Sequence, residues 1–252
     1  LYAYRQMIFS LVKKDLRGRY KGSVLGFLWT FINPLLQLVV YTIVFSFILK
    51  TNIERYYLYL FVALIPWIFF SSSITVGSAS IVAQKDLIKK IYFPRMVIPI
   101  SYVTSSFVNM LLCFIVIFAV IIVSGAGINF LALLTLPVIM LVEYILALGM
   151  AMLTSAITVY FRDLEHILGI VTMAWMYMTP IMYDKSIVPE NLMPIFNLNP
   201  MTHVIECYRA VLYEKKIPDL TTLLSAAGLG ILILIVGILV FNKLQKRFAE
   251  EL

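Results

Sequence analysis

Residues 97–123 read VIPISYVTSSFVNMLLCFIVIFAVIIV, an unbroken run without Asp, Glu, Lys or Arg. About 20 apolar residues in a helix cross the roughly 30 Å hydrocarbon core of a bilayer. A strand of a membrane barrel would alternate apolar and polar side chains instead of running continuously apolar. This run therefore predicts a membrane-spanning helix. The rest of the chain agrees: 62% of its 252 residues are hydrophobic and 13% charged, against roughly 45–50% and 25% in soluble domains.

Outward from that run, further apolar blocks occur at 28–49, 58–76, 130–158, 166–183 and 223–241. Six crossings form one domain over residues 1–252 and put both termini on one side. The segment 166–183 is the shortest of the blocks and carries Pro180 near its end. Basic residues orient the chain, because cytoplasmic loops are enriched in Lys and Arg. The termini, 77–96 and 159–165 hold 14 of the 20 basic residues, and the opposite loops, including Lys50, hold 6. Both termini are thus expected in the cytoplasm, and the net charge of +7 serves topology rather than nucleic acid.

Residues 2–21 do not span. Tyr4, Ile8, Leu11, Leu16 and Tyr20 recur at helical spacing, flanked by Arg5, Lys13, Lys14, Arg17 and Lys21. That pattern predicts a helix on the cytoplasmic leaflet, with its cations toward anionic head groups. Residues 184–222 are too polar to span. Asn199-Pro200 predicts a helix start, with Asn as cap and Pro in the first turn, running to about Leu212.

No G-x-x-x-x-G-K-[ST] loop, H-E-x-x-H motif or nucleophile elbow occurs. His166 and His203 are isolated, and Cys113 and Cys207 are read as buried packing. Glu143 falls near the middle of the fourth span. An ionisable residue there costs at least ~2.5 kcal/mol, so it must face other helices or a watery cavity; a structural hydrogen bond is the preferred reading. Ala147, Gly149, Ala151 and Ser155, with Gly228, Gly230 and Gly237, permit close helix approach, within or between subunits.

Four segments carry a family resemblance. They are LRGRYKGSVLGFLWTFINPLLQLVVYTIVFSF (16–47), LIKKIYFPRMVIPIS (87–101), YFRDLEHI (160–167), and TPIMY (179–183) with NPMTHVIECYRAVLY (199–213). In this order they resemble the transmembrane subunit of type-2 ABC exporters, in the branch that exports O-antigen, capsule and teichoic acid. The resemblance implies an all-α integral membrane protein of six spans, with a cytoplasmic interfacial helix in 1–27 and short re-entrant helices in 184–222. It further implies a homodimer in the bacterial inner membrane, joined to two copies of an ABC ATPase that bind ATP and magnesium. This chain itself would bind no cofactor and be no enzyme. The cargo would be a lipid-linked glycan.

On that resemblance Arg17, Arg19, Gln84, Lys85, Asp86, Lys89, Lys90, Arg162 and Asp163 would meet the ATPase. Topology and a solvated helix end are the plainer reading of any one residue in 77–96, while for Arg162 and Asp163 end-capping or mutual pairing weighs evenly with contact to the ATPase or a place at the cytoplasmic entrance. Tyr41, Trp67, Phe69, Phe70, Tyr144, Trp175 and Tyr177 would line a glycan path, since aromatic faces stack on sugar rings; helix packing explains any one of them more simply. Tyr56, Tyr57, Tyr59 and Phe61 read as an outer interfacial belt. Pro180, Tyr183, Asn199, Pro200 and Arg209 would form an outer gate. The alternatives are export of a small drug, peptide or lipid by the same architecture, or a proton-coupled carrier resting on Glu143.

Overall fold

The computed structural model describes residues 2–19, 22–48 and 53–252. Tyr20, Lys21 and Lys50, used above, lie outside the described residues. All regular structure among them is helical: α1 (Arg5–Gly18), α2 (Trp29–Thr42, continued by a wider turn to Ile48), α3 (Tyr56–Ala83), α4 (Lys85–Lys90), α5 (Val97–Val123), α6 (Phe130–Leu133), α7 (Leu136–Tyr160), α8 (Leu164–Tyr177), α9 (Met193–Leu198), α10 (Pro200–Leu212), α11 (Leu220–Leu244) and α12 (Phe248–Glu251).

Five stretches among the described residues are long and apolar enough to cross a membrane: Gly26–Ser46, Tyr56–Ala83, Val97–Val123, Phe130–Tyr160 and Leu220–Arg247. The second outruns its expected end at residue 76. Most of its serines and its threonine turn their hydroxyls onto the helix's own carbonyls, Ser73 to Phe69 at 2.8 Å, Thr75 to Ser71 at 3.0 Å and Ser78 to Thr75 at 2.7 Å, while Ser80 stays buried without a partner. Polar side chains satisfied in this way leave the helix unbroken.

The segment expected to span at 166–183 is helical only to Tyr177. Fourteen residues rise about 21 Å, short of the hydrocarbon core. Pro180 supplies the reason, since proline lacks an N–H and disfavours helical geometry in the residue before it. Residues 178–183 continue as turns.

Helices α7 and α11 run parallel. A Cβ on Gly237 would lie 2.3 Å from the Gly149 carbonyl oxygen, Gly230 faces Val142 and Leu146, and the Tyr160 hydroxyl donates to the Leu244 carbonyl at 2.8 Å. Gly149, Gly230 and Gly237 thus make a seam inside one chain, whereas Ala151 packs on Gly77 of α3 and Gly228 faces open space. Parallel helices oblige the intervening residues to run back along the bundle. The 164–183 segment does so against α3: Phe70 meets Trp175 edge to face at 5.2 Å, and the Tyr56 and Tyr59 hydroxyls reach the carbonyls of Met182 and Tyr183.

At one end of the bundle Ile81, Ile88, Phe93, Val97, Phe241 and Phe248 pack together with Met7, Ile8 and Leu11 of α1. Both terminal helices and α4 therefore share one end. Both cysteines are buried and free.

Candidate functional site

The opposite end holds a non-helical turn clasped by side chains. The Arg209 guanidinium donates to the carbonyls of Pro180 at 2.5 Å and Ile181 at 2.7 Å. Met182 and Tyr183 carbonyls accept from the hydroxyls of Tyr56 at 2.8 Å and Tyr59 at 3.0 Å. Asn199 Nδ2 donates to the Met178 carbonyl at 3.3 Å and the Thr179 hydroxyl at 2.9 Å. Each carbonyl would cost ~1–3 kcal/mol if buried unpaired. The clasp replaces the helical hydrogen bonds that Pro180 forbids.

Elements far apart in the chain position these groups. Asn199 caps α10, its Oδ1 accepting from the Met201 N–H at 3.1 Å and the Trp175 indole at 3.0 Å. Pro200 follows in the first turn, buried. Arg209, more than two turns later on α10, lies against the Tyr59 ring, its guanidinium carbon 3.6 Å from the ring centroid. Pro180, Tyr183, Asn199, Pro200 and Arg209 are thereby brought into one cluster. Tyr56 and Tyr59 are partners that sequence reading places in an interfacial belt; no local signal ties them to residues more than 120 positions away.

Deeper in the bundle, the Tyr208 hydroxyl of α10 donates to Glu143 of α7 at 2.6 Å, with both residues fully buried. The structural hydrogen bond expected for Glu143 is present, and it ties the short α10 to a long helix.

The aromatic residues divide. Trp67, Phe69 and Phe70 are buried. Trp67 contacts Phe70 at 5.7 Å, and Phe69 contacts Phe107, which reaches Tyr144 at 5.2 Å. These rings join α3 to α5, α7 and α8 within the chain. Tyr41 is half-buried, whereas Tyr177 is exposed and its carbonyl takes the Tyr183 hydroxyl at 2.7 Å.

At the end shared by the termini, α4 is anchored by buried Ile88 and exposes Lys85, Asp86, Lys89 and Lys90. Arg17, Arg162 and Asp163 are exposed too. Gln84 donates to the Tyr102 hydroxyl at 3.1 Å. Arg19 turns inward, its guanidinium donating to Asp15 at 2.8 Å and to Ser106 at 3.0 Å, while Ser105 also donates to Asp15. Arg19 therefore braces α1 on α5 rather than facing outward. Sequence reading passes over Ile91 and Tyr92, which follow α4 with their side chains in the open, Tyr92 at 98%. Among the described residues no group of His, Cys, Asp or Glu could hold a metal ion.

An all-α bundle of long apolar helices, with a basic helix displayed at one end and a clasped turn at the other, defines a multi-pass integral membrane protein. The chain belongs to the ABC-2 type transporter family, whose profile matches residues 6–213. It is 34% identical over 254 residues to the O-antigen export system permease protein RfbA of Myxococcus xanthus, covering 100% of this chain and 97% of that one. It is 35% identical over 246 residues to the RfbA permease of Klebsiella pneumoniae, covering 98% and 95%. The polysialic acid transport protein KpsM of Escherichia coli is 22% identical over 242 residues, covering 92% and 91%.

Proposed function

We propose that this chain is the membrane-spanning permease of an ATP-driven exporter that moves lipid-linked polysaccharide out of the cytoplasm. The observation that carries the proposal is similarity along nearly the whole chain to permeases named for O-antigen export. In this scheme the chain crosses the membrane six times, α8 and the clasped turn together making the fifth crossing. Both termini are cytoplasmic. Two copies enclose the path, and two separate ABC ATPase subunits bind ATP and magnesium.

Exposed Lys85, Asp86, Lys89 and Lys90 on α4, with Arg17, Arg162 and Asp163, form the surface toward the ATPase. Gln84 and Arg19 fix the helices behind it. Tyr177, Tyr41 and Trp175 offer aromatic faces to the sugars, and buried Trp67, Phe69 and Phe70, with Tyr144, hold those faces in place. The Arg209–Asn199 clasp on Pro180 and Tyr183 closes the outer end. ATP binding shifts the path only insofar as the ATPase binds the two membrane states unequally.

Depletion of the chain in its host tests the proposal. Lipid-linked glycan should accumulate on the cytoplasmic leaflet and disappear from the surface. Unchanged surface glycan, in a host with no second exporter, rules the proposal out.

A further inference from the structure

Between the α9–α10 turn and α11 lies an open groove of about 590 Å³, within the roughly 300–1,000 Å³ of small-molecule sites. Its walls carry Asn197 and His203 on one side and Thr221, Thr222, Ser225 and Gly228 on the other. Gly228 is eight residues into α11, about 12 Å along the helix axis. The outer turns of a helix otherwise rich in Leu and Ile thus present a stripe of hydroxyls.

Thr221 donates to Asp219, whereas other polar groups of the groove have no partner within the protein. Among the described residues, the Thr222 and Ser225 hydroxyls have no hydrogen-bond partner in the protein. His203 uses Nε2 on the Asn197 carbonyl at 2.8 Å, and its buried Nδ1 has no hydrogen-bond partner. Glu206 lies 3.8 Å from Nδ1 but is paired with Lys185 at 2.8 Å. The groove lining therefore presents hydroxyl, amide and imidazole groups and no Lys or Arg. No Lys or Arg lines the groove to pair with a phosphate, and a lipid tail would leave the hydroxyls unsatisfied. A neutral ligand rich in hydroxyl groups, with some apolar surface for Leu198 and Leu229, meets both walls.

We infer that this groove binds sugar units of the exported glycan at the outer leaflet, beside the clasped turn. The inference rests on the export function and topology proposed above. Its placement explains why polar residues persist on one face of an outer helix. It gives the first sugars to pass the clasp a surface of hydroxyls in place of lipid.

Gly228 makes the test clean, because nothing lies within 4 Å of a Cβ added there. Gly228→Leu adds apolar bulk to the groove from a position where the new Cβ meets no protein atom. In the intact transporter in its host, Gly228→Leu should lower surface glycan about tenfold at unchanged protein abundance, a loss comparable to one hydrogen-bonded contact. Gly228→Ala should export almost normally. A photoreactive benzophenone residue at Ser225 should give an adduct that stains for glycan, and the same residue at lipid-facing Leu232 should not. Normal export by Gly228→Leu, or a Ser225 adduct containing only phospholipid, overturns the inference. Deletion of the whole chain separates the two levels: if deletion leaves surface glycan intact, the export function fails and the groove assignment fails with it. If deletion abolishes export while Gly228→Leu exports normally, only the groove assignment fails.

Discussion

At the scale of single residues, Arg209 and Glu143 show what burial demands of an ionisable side chain in this bundle. Arg209 is 6% exposed, and its planar guanidinium serves two carbonyls at once. Lysine is a point charge without that fork. Arg209→Lys should lower the melting temperature of the purified protein, and Arg209→Ala should lower it further, leaving two carbonyls unpaired at ~1–3 kcal/mol each. Equal melting of all three proteins would show that the clasp adds nothing to stability. Glu143 differs, because its partner is a hydroxyl. Glu143→Gln keeps an oxygen that accepts from Tyr208 and should export normally, whereas Glu143→Ala should lose ~1–3 kcal/mol of stability. A transport defect in Glu143→Gln at normal abundance would assign the carboxylate a role beyond the hydrogen bond. Glu143 is legible in the sequence as a polar group that needs a partner. Tyr208 is not legible as that partner, since 65 residues separate the pair.

At the scale of elements, continuous apolar character makes the long spans readable, and sequence and structure differ where local chemistry competes with it. The end of α3 falls too early in sequence because serine looks polar, although each hydroxyl can return to its own helix. The 166–183 segment reads as a full span because its composition is apolar. Pro180 marks the break, but the compensating clasp comes from α3 and α10 and leaves no local trace. The charges of α4 dominate its reading and hide Ile91 and Tyr92. A tyrosine 98% exposed beside a basic helix would serve as an anchor for the proposed ATPase, as aromatic residues dominate binding hot spots. Tyr92→Ala should weaken binding of the proposed ATPase about thirtyfold, the effect of losing a ~2 kcal/mol hot spot. Titration of the ATPase against the permease in nanodiscs measures this directly, and unaltered affinity would exclude Tyr92 from the interface.

At the scale of the whole molecule, two surfaces compete for the contact between the two copies proposed above. Below the groove of Thr221, Ser225 and Gly228, the α11 face exposes Ile231, Leu232, Ile235 and Leu239, an aliphatic surface that lipid satisfies. The α8 face exposes Ile170, Met173 and Tyr177 but also Glu165, His166 and Gly169. Glu165 and His166 lie in the first turn of α8 beside Arg162 and Asp163, where water satisfies them, so within the span the α8 face differs from that of α11 by Gly169 and by the aromatic rings of Trp175 and Tyr177. The glycines do not decide the matter. Gly149 and Gly237 are consumed in the α7–α11 seam, where an added Cβ would strike backbone, a relation their spacing in sequence leaves open. The aromatic rings of Trp175 and Tyr177, suited to stacking on sugars, place the proposed second copy, and the proposed path between copies, along α8. Single cysteines test this cleanly because Cys113 and Cys207 are buried. Met173→Cys should yield a covalent dimer in native membranes with a short bismaleimide, whereas Ile235→Cys should remain monomeric. The reverse result would move the dimer seam to α11 and leave the aromatic face of α8 without the partner proposed for it.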